Sequence, residues 1–275
     1  MTAPLTTLTI AGSDSGGGAG LQADLRTFFA CGVHGMTAVT AVTVQNTLGV
    51  SDFVAIPPEV VAAQIEAVAT DIGVGAAKTG MLANREIIEA IAAACDRVGI
   101  GRSHATPFVV DPVAASMHGD QLLHDKALDA LRAELFPRAT LVTPNLDEVR
   151  LLTGIDVRHR SQLAAAAEAM HSFGPAWTLI KSGHLTEDPD CVDLLYDGTT
   201  FIELPGPRYH TKHTHGGGDT MAAAITAALA GGATVPDAVR FGKRFVSKSV
   251  QHAYPLGAGV GPVSPFWRLE GAEPI

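Results

Sequence analysis

The chain has 275 residues, 47% of them apolar, and a formal net charge of −9. This acidic balance disfavours a nucleic acid or an anionic membrane as the main partner, because phosphate-rich surfaces bind basic protein faces. The length leaves room for one large domain or two small ones. Glycine is abundant and aromatic residues make up only 5% of the chain, which favours an α/β fold over an all-β sandwich.

In chain order, short apolar runs alternate with longer helical segments. Strands are predicted at residues 5–10, 36–44, 75–78, 108–110, 140–143 and 177–181, and a hairpin over 192–204 turns at Asp197-Gly198. Helices are predicted at residues 18–31, 57–70, 85–98, 125–136, 163–173, 220–230 and 236–252. Strands separated by helices indicate a largely parallel sheet that is covered on both faces.

Polar residues follow, or end, several of the predicted strands. They are Asp14, Gln45, Lys78, Asp111, Asn145 and Lys181. In parallel sheets, ligands bind beyond the carboxyl ends of the strands, so these residues are candidates for the rim of an active site. The other interpretation is that polar residues follow strands simply because loops are polar.

The three cysteines, Cys31, Cys95 and Cys191, lie far apart and form no CxxC pair. This spacing predicts free thiols in a reducing cytoplasm rather than a disulfide framework or a zinc site. The N-terminus lacks a basic region followed by an apolar run, and no apolar stretch reaches the roughly 18 residues of a membrane span. A cytoplasmic protein is the expectation.

Two glycine-rich segments, residues 12–20 and 215–220, are candidates for ligand-binding loops. Residues 12–20 do not fit GxGxxG, and neither segment matches GxxxxGK[ST], because no lysine follows the glycines. A dinucleotide-binding dehydrogenase and a P-loop NTPase are therefore poorly supported.

The second segment has the stronger chemical implication. Gly216, Gly217 and Gly218 precede Asp219 and a helix rich in alanine. Glycines let the backbone approach a ligand, and a helix start adds unpaired N–H groups, so the segment predicts an anion site. Asp219 beside that site is either a general base for an attacking hydroxyl or an ordinary helix cap. The spacing alone leaves both interpretations open.

Other candidate residues also have two interpretations. Asn145 and Glu148, three apart, fit both a magnesium site and a helix capping box. Gln45 can both donate and accept hydrogen bonds, so it fits a ligand contact or a turn-stabilising amide, and Asp24 by itself indicates a solvated helix face. Lys181, directly after an apolar run, is expected to have a partner.

Three histidines, His210, His213 and His215, lie close together in the sequence. No cysteine or carboxylate completes a transition-metal ligand set around them. The preferred interpretation is a mobile active-site loop that carries His215 beside the glycines.

Seven segments of the chain, in order, resemble the hydroxymethylpyrimidine/phosphomethylpyrimidine kinases of thiamine biosynthesis, members of the ribokinase-like superfamily. The segments are residues 11–24, 40–47, 78–82, 110–113, 143–148, 181–184 and 214–220. The resemblance implies one ribokinase-like domain over residues 1–275, a three-layer α/β/α sandwich with a mostly parallel sheet. It also implies the use of ATP and Mg²⁺, and a homodimer.

The resemblance further implies a role for each matching residue. Asp219 would be the catalytic base, Gly216, Gly217 and Gly218 the anion hole, and Asn145 and Glu148 the magnesium site. Gly12, Asp24, Gln45, Met81 and Val113 would bind the pyrimidine, and Asp111 and Lys181 would meet ATP. Many relatives carry cysteine where this chain has Asp219, whereas aspartate is the usual base of the wider superfamily.

The implied reaction is phosphorylation of 4-amino-5-hydroxymethyl-2-methylpyrimidine, and then of its monophosphate to the diphosphate. Two alternatives remain open at this point. A pyridoxal or pyridoxine kinase would also phosphorylate a hydroxymethyl group on an aromatic nitrogen ring. A non-catalytic pyrimidine-binding module is the other, although a pure binder has no use for a carboxylate facing a triphosphate.

Overall fold

The computed structural model describes residues 3–114, 123–185 and 189–269, and ten strands lie within these ranges. They are β1 (Thr6–Ala11), β2 (His34–Val39), β3 (Ala41–Asn46), β4 (Gly49–Ala55), β5 (Ala76–Thr79), β6 (Phe108–Val110), β7 (Leu141–Val142), β8 (Trp177–Ile180), β9 (Asp193–Tyr196) and β10 (Phe201–Leu204). Eight of them form the main sheet in the order β10-β9-β8-β7-β6-β5-β1-β2, and β3 pairs only with β4 in a small second sheet.

The inner strands of the main sheet are parallel, and the edge formed by β9 and β10 is antiparallel. Consecutive apolar residues of β6 face opposite layers, with Phe108 and Val110 in one core and Val109 in the other. This is why strands that are buried on both faces have continuous apolar sequences. The predicted hairpin is confirmed, with Gly198 in the left-handed conformation at its turn.

The helices cover both faces of the sheet. They are α1 (Gly20–Ala30), α2 (Pro58–Asp71), α3 (Arg85–Val98), α4 (Asp125–Ala130), α5 (Leu146–Thr153), α6 (Leu163–His171), α7 (Gly217–Ala230) and α8 (Val235–Gln251). Residues of α2 to α6 share one core with the sheet, and α7 and α8 share the other, with α1 packed against α7. The predicted α/β fold with a mostly parallel sheet between two helical layers is confirmed.

The strand order places a topological switch between β1 and β5. From β1 the chain continues to β2 on one side, whereas β5 and the later strands lie on the other side. Connections that leave in opposite directions open a crevice at the carboxyl ends of the two strands, and ligands bind in such crevices. The fold therefore places a binding site at the ends of β1 and β5.

The predicted strand at 36–44 is wrong in its extent. The predicted strand is interrupted at Thr40. The Thr40 amide donates to the Ala11 carbonyl, and the Thr40 hydroxyl donates to the Met81 carbonyl. These bonds fasten residue 40 to the ends of β1 and β5, and β3 then leaves the main sheet. Val42 and Val44 are consequently exposed instead of buried, although an apolar β-branched run predicts a buried strand.

Two helical predictions also need correction, and two elements were missed. Helix α7 begins at Gly217 instead of residue 220, so two of the three glycines lie in its first turn. The segment predicted as one helix over 125–136 is α4, followed by a π-helical turn at Leu131–Leu135 and a 3-10 turn at Phe136–Arg138. Helix α5 and strand β4 were not predicted.

The three cysteines are free thiols, as predicted, and burial raises the pKa of Cys31 to about 11 and of Cys95 to about 12. Such thiols stay protonated and unreactive at neutral pH. Across the described part of the chain, every helix is too short or too polar to cross a bilayer.

Candidate active site

Asp219 lies above the switch between β1 and β5, in the first turn of α7. Its Oδ2 accepts a hydrogen bond from the Gly20 amide at 3.3 Å, and its Oδ1 lies 3.7 Å from Nζ of Lys78. Its side chain is 14% exposed. Gly216, in the left-handed conformation, occupies the N-cap position of α7, so Asp219 does not cap the helix. Its carboxylate is available to a ligand at the helix start.

The three glycines differ in what they contribute. Gly216 needs a positive φ of 73°, and a Cβ there would collide with the Gly18 carbonyl oxygen. The Gly217 amide donates to the Thr214 carbonyl at 3.1 Å, so it is engaged within the loop. The first α-helical bond runs from Thr220 to Gly216, which leaves the N–H groups of Gly218 and Asp219 without intrahelical acceptors. Of the predicted anion hole, Gly218 is the member best placed to donate.

A cluster of buried charges lies beside the glycines. Lys181 Nζ is 3.0 Å from Oδ1 of Asp111. A Cβ on Gly218 would lie 3.3 Å from that Nζ and 3.6 Å from Oδ2 of Asp111, so both groups are adjacent to the helix start. Burial opposes the charge of Lys181, but Asp111 and Glu148 outweigh it and raise its pKa. The partner that was predicted for Lys181 is Asp111.

Asn145 and Glu148 form the capping box that was one of their two interpretations. The Asn145 side chain accepts from the Glu148 amide at 2.9 Å, and Oε2 of Glu148 accepts from the Asn145 amide at 2.8 Å. Oε1 of Glu148 accepts from the Ala114 amide at 3.2 Å. Burial raises the pKa of Glu148 to about 7, against the opposing attraction of Lys181. The box fixes the start of α5 at the carboxyl end of β7.

Two of the predicted pyrimidine-binding residues, Gly12 and Met81, lie at the crevice, whereas Val113 follows the neighbouring strand β6 and Gln45 lies on β3. Gly12 follows β1 and donates to the Met81 carbonyl at 3.1 Å, and a Cβ on Gly12 would lie 3.4 Å from Sδ of Met81. Val113 has a φ of 42°, a left-handed conformation that strains a β-branched residue and is found mainly at functional sites. Gln45 lies on β3, half-buried, with its amide nitrogen 3.4 Å from Nε2 of His215.

Asp24, the fifth predicted pyrimidine-binding residue, has a different environment. It is fully buried, each carboxylate oxygen lies 2.8 Å from Lys78 Nζ, and Oδ2 also accepts from the Thr9 hydroxyl at 2.6 Å. The solvated helix face that its helix position indicated is wrong, because α1 turns Asp24 towards Lys78 of β5. Its predicted contact with the pyrimidine stays a prediction.

His215 joins the two glycine-rich segments. Its Nε2 is 2.9 Å from Oδ2 of Asp14, and the same carboxylate accepts from the amides of Gly16, Gly18 and Ala19. Burial works against the charge of Asp14, but the hydrogen bonds from His215 and these amides lower its pKa. Sequence reasoning placed His215 beside the glycines but missed its bond to Asp14.

Solved structures of two kinases are similar to this fold. Pyridoxal kinase from Bacillus subtilis, in complex with ADP, matches with a TM-score of 0.87 and 36% identity, covering 97% of this chain and 100% of that one. Phosphomethylpyrimidine kinase from Clostridium difficile matches with a TM-score of 0.77 and 36% identity, covering 90% and 99%. The fold, with a carboxylate at a glycine-rich helix start, is that of a ribokinase-like small-molecule kinase that uses ATP.

Sequence comparison identifies the family. The hydroxymethylpyrimidine/phosphomethylpyrimidine kinase of Mycobacterium leprae is 59% identical over 271 residues, which cover 97% of this chain and 96% of that protein. The family model described as phosphomethylpyrimidine kinase matches residues 14–264. The chain belongs to the phosphomethylpyrimidine kinase family, as the resemblance of its seven segments predicted.

Proposed function

We propose that the chain transfers the γ-phosphoryl group of ATP to the hydroxymethyl group of 4-amino-5-hydroxymethyl-2-methylpyrimidine, and in a second turnover to the resulting monophosphate, in thiamine biosynthesis. The name of the 59% identical relative supports both substrates. The observation that carries the proposal is the position of the Asp219 carboxylate beside the unpaired amides of the α7 start.

In this proposal, Asp219 takes the proton of the substrate hydroxyl as its oxygen attacks the phosphoryl group in line. The amides of Gly218 and Asp219, with the dipole of α7, stabilise the negative charge on the transferring group. In phosphoryl transfer, positioning and electrostatic stabilisation supply most of the rate enhancement. Gly216 and Gly217 shape the loop so that these amides face the phosphate.

Lys181 and Asp111 are proposed to lie at the phosphates of the bound nucleotide, with Lys181 in contact with them. Lys181 is mostly buried and charged, and its Nζ lies close to Gly218. A buried lysine with one carboxylate partner retains positive charge towards an incoming anion. Asp111 orients the lysine, since it holds Nζ at 3.0 Å.

Asn145 and Glu148 are proposed to hold Mg²⁺ through its water ligands. Their donor atoms fit this role, because carboxylate and amide oxygens suit magnesium and each oxygen that accepts one backbone bond retains a second lone pair. Mg²⁺ bound with ATP supplies charge neutralisation to the phosphates. The commitment of both Glu148 oxygens to backbone amides favours contact through water over direct coordination.

The pyrimidine is proposed to bind between Gly12, Met81 and Val113. Gln45 is proposed to form hydrogen bonds with its amino group and a ring nitrogen. The glycine at residue 12 leaves a flat surface beside the thioether of Met81, and a thioether packs well against an aromatic ring. An amide side chain both donates and accepts, as an aminopyrimidine edge requires.

Pyridoxal phosphorylation is the second candidate, supported by the match to the Bacillus subtilis pyridoxal kinase at a TM-score of 0.87. ADP release should be measured with hydroxymethylpyrimidine, its monophosphate and pyridoxal as separate substrates. The main proposal expects the largest kcat/KM with the first two. A larger kcat/KM with pyridoxal would favour the second candidate, and substrate-independent ADP release would contradict both.

We also propose that the protein is one domain over residues 1–275 that works as a cytoplasmic homodimer. The small β3–β4 sheet supports dimerisation, because Val42, Val44 and Val54 are 51%, 59% and 67% exposed, and exposed apolar patches of this kind mark protein contacts. Free thiols are consistent with a reducing compartment. Sedimentation equilibrium tests the dimer, with a Val44→Lys/Val54→Lys variant expected to be monomeric.

A further inference from the structure

A buried lysine lies beneath the active site, and the proposed reaction has not used it. Lys78 is fully buried on the central strand β5. Its Nζ lies 2.8 Å from both carboxylate oxygens of Asp24, which is itself fully buried and also bonded to Thr9. Taking two charges out of water is costly, and hydrophobic residues of the same volume are often as stabilising. Stability alone is therefore a weak reason for this pair.

The ammonium group of Lys78 lies between two carboxylates. Asp24 is on one side at 2.8 Å, and Oδ1 of Asp219 is on the other at 3.7 Å. The second oxygen of Asp219 is held by the amide of Gly20, the first residue of α1, the helix that also carries Asp24. Helix α1, strand β5 and helix α7 therefore meet at the Asp219 carboxylate, above the switch point of the sheet.

Gly80 keeps the gap between the lysine and the catalytic carboxylate clear. A Cβ at this position would lie 3.7 Å from both Oδ1 of Asp219 and Nζ of Lys78, and 2.9 Å from Cβ of Ala11. A side chain there would have to push against the strand β1 or enter the space between the two charged groups. The glycine thus preserves a direct electrostatic contact.

We propose that Lys78 and Asp24 form a buried ion pair that positions Asp219 and sets how readily its carboxylate accepts the substrate proton. The proposal rests on the role of Asp219 in the proposed function. Lys78 attracts the Asp219 carboxylate across 3.7 Å, and Asp24, at 2.8 Å from the same ammonium, offsets part of its positive charge. Replacing Lys78 or Asp24 therefore changes the charge that faces Asp219 in opposite directions.

The pKa values of the pair agree with two carboxylates competing for one ammonium. Burial opposes the charge of Lys78, but Asp24, Asp219 and Asp111 outweigh it and raise its pKa, so the lysine stays charged. Burial raises the pKa of Asp24, against the attraction of Lys78, and the charge of Asp219 adds to the rise. Asp24 and Asp219 are thus electrostatically coupled through Lys78.

Other charged groups near Asp219 come from the neighbouring elements, and none of them is replaced in the test. Asp111 follows β6 and Lys181 follows β8, and these two bind each other. His215, on the loop before α7, binds Asp14.

The test is the pH dependence of kcat/KM for the first phosphorylation in three variants, Lys78→Met, Asp24→Asn and the double variant. The acidic limb of this profile reports the ionisation of the essential base in the free enzyme. Lys78→Met should move its midpoint upward by about 1–3 pH units. Asp24→Asn should move the midpoint downward by about one pH unit. The midpoint of the double variant should lie between those of the two single variants. A merely structural pair would lower activity without opposite shifts.

Lys243→Met is the matched control, since Lys243 is a buried lysine paired at 2.7 Å with Asp193 instead of Asp219. It should lower thermal stability and leave the acidic midpoint in place. If Lys78→Met fails to fold because Asp24 is left unpaired, the double variant still carries the test, since it leaves no isolated buried charge. Midpoints that stay fixed, or that move in one direction in all folded variants, would overturn the proposal.

A second readout separates this proposal from the role of Asp219 as base. The ¹³Cγ resonance of Asp219, identified by its loss in Asp219→Asn, should titrate with the same opposite shifts in the enzyme without substrate. If the resonance does not shift, the ion-pair proposal is wrong. If it shifts but Asp219→Asn retains full activity, the ion pair stands and the base role fails.

Discussion

Replacing Asp219 by asparagine tests the proposed base with little change of shape. The asparagine oxygen can still accept the bond that Gly20 now donates at 3.3 Å, so the start of α7 should keep its position. The ion pair with Lys78 at 3.7 Å is lost, and for a partly exposed carboxylate this costs about 1 kcal/mol. A loss of this size lowers the thermal midpoint by about 2–4 °C, so the variant should remain folded in the assay.

The two phosphorylations should respond differently to this change. The alcohol of the first substrate must lose a proton, so Asp219→Asn should slow that step by about 10²–10⁴-fold, or about 2.7–5.4 kcal/mol of barrier. The nucleophile of the second step is an ionised phosphate oxygen, and its rate should fall by at most about tenfold. Single-turnover rates with each acceptor give the comparison.

Asp71→Asn is the control for this measurement, because Asp71 is an exposed aspartate at the end of α2. It should leave both rates unchanged. Equal losses in the two steps of Asp219→Asn would refute the reasoning, since they would indicate that Asp219 positions the phosphates and does not remove a proton.

Three further predictions concern the surrounding loops. Gly216→Ala should cost at least about 1–2 kcal/mol of stability and much of the activity, because φ is 73° and a Cβ would meet the Gly18 carbonyl; unchanged thermal stability and activity would contradict this. Val113→Gly should raise stability by about 1 kcal/mol through loss of left-handed strain and raise KM for the pyrimidine; lower stability with an unchanged KM would contradict it. Burial raises the pKa of Glu148 from its usual 4.5 to about 7, so its stabilising contribution is complete below pH 4.5 and is lost as pH rises through 7. The thermal midpoint of Glu148→Gln, measured relative to that of the parent, should therefore rise as pH increases from 5 to 8. A difference between the two midpoints that does not change with pH would exclude that linkage.

Much of the fold could be predicted because its signals are local. Helix α3 follows from an apolar stripe, and the Asp197-Gly198 turn fixes the β9–β10 hairpin. The break at Thr40 could not be predicted, since it depends on hydrogen bonds to Ala11 and Met81, which are distant in sequence. Helix α5 was missed even though its capping box was recognised.

The site was predictable where backbone chemistry dominates. Consecutive glycines followed by an aspartate predict a helix start with free amides whatever the fold, and Asp219 lies in the first turn of α7. The environment of Asp24 could not be read from its helix position, because it depends on Lys78 from another element. The same holds for the bond between His215 and Asp14, which are 201 residues apart.

The central claim is that the Asp219 carboxylate meets the substrate hydroxyl beside the amides of the α7 start. A crystal structure with hydroxymethylpyrimidine and a non-hydrolysable ATP analogue tests it most directly. The account predicts a carboxylate oxygen of Asp219 within about 2.6–3.2 Å of the hydroxymethyl oxygen, with the γ-phosphate at the amides of Gly218 and Asp219. A carboxylate that stays turned to Lys78 and Gly20, out of reach of the hydroxyl, would contradict it.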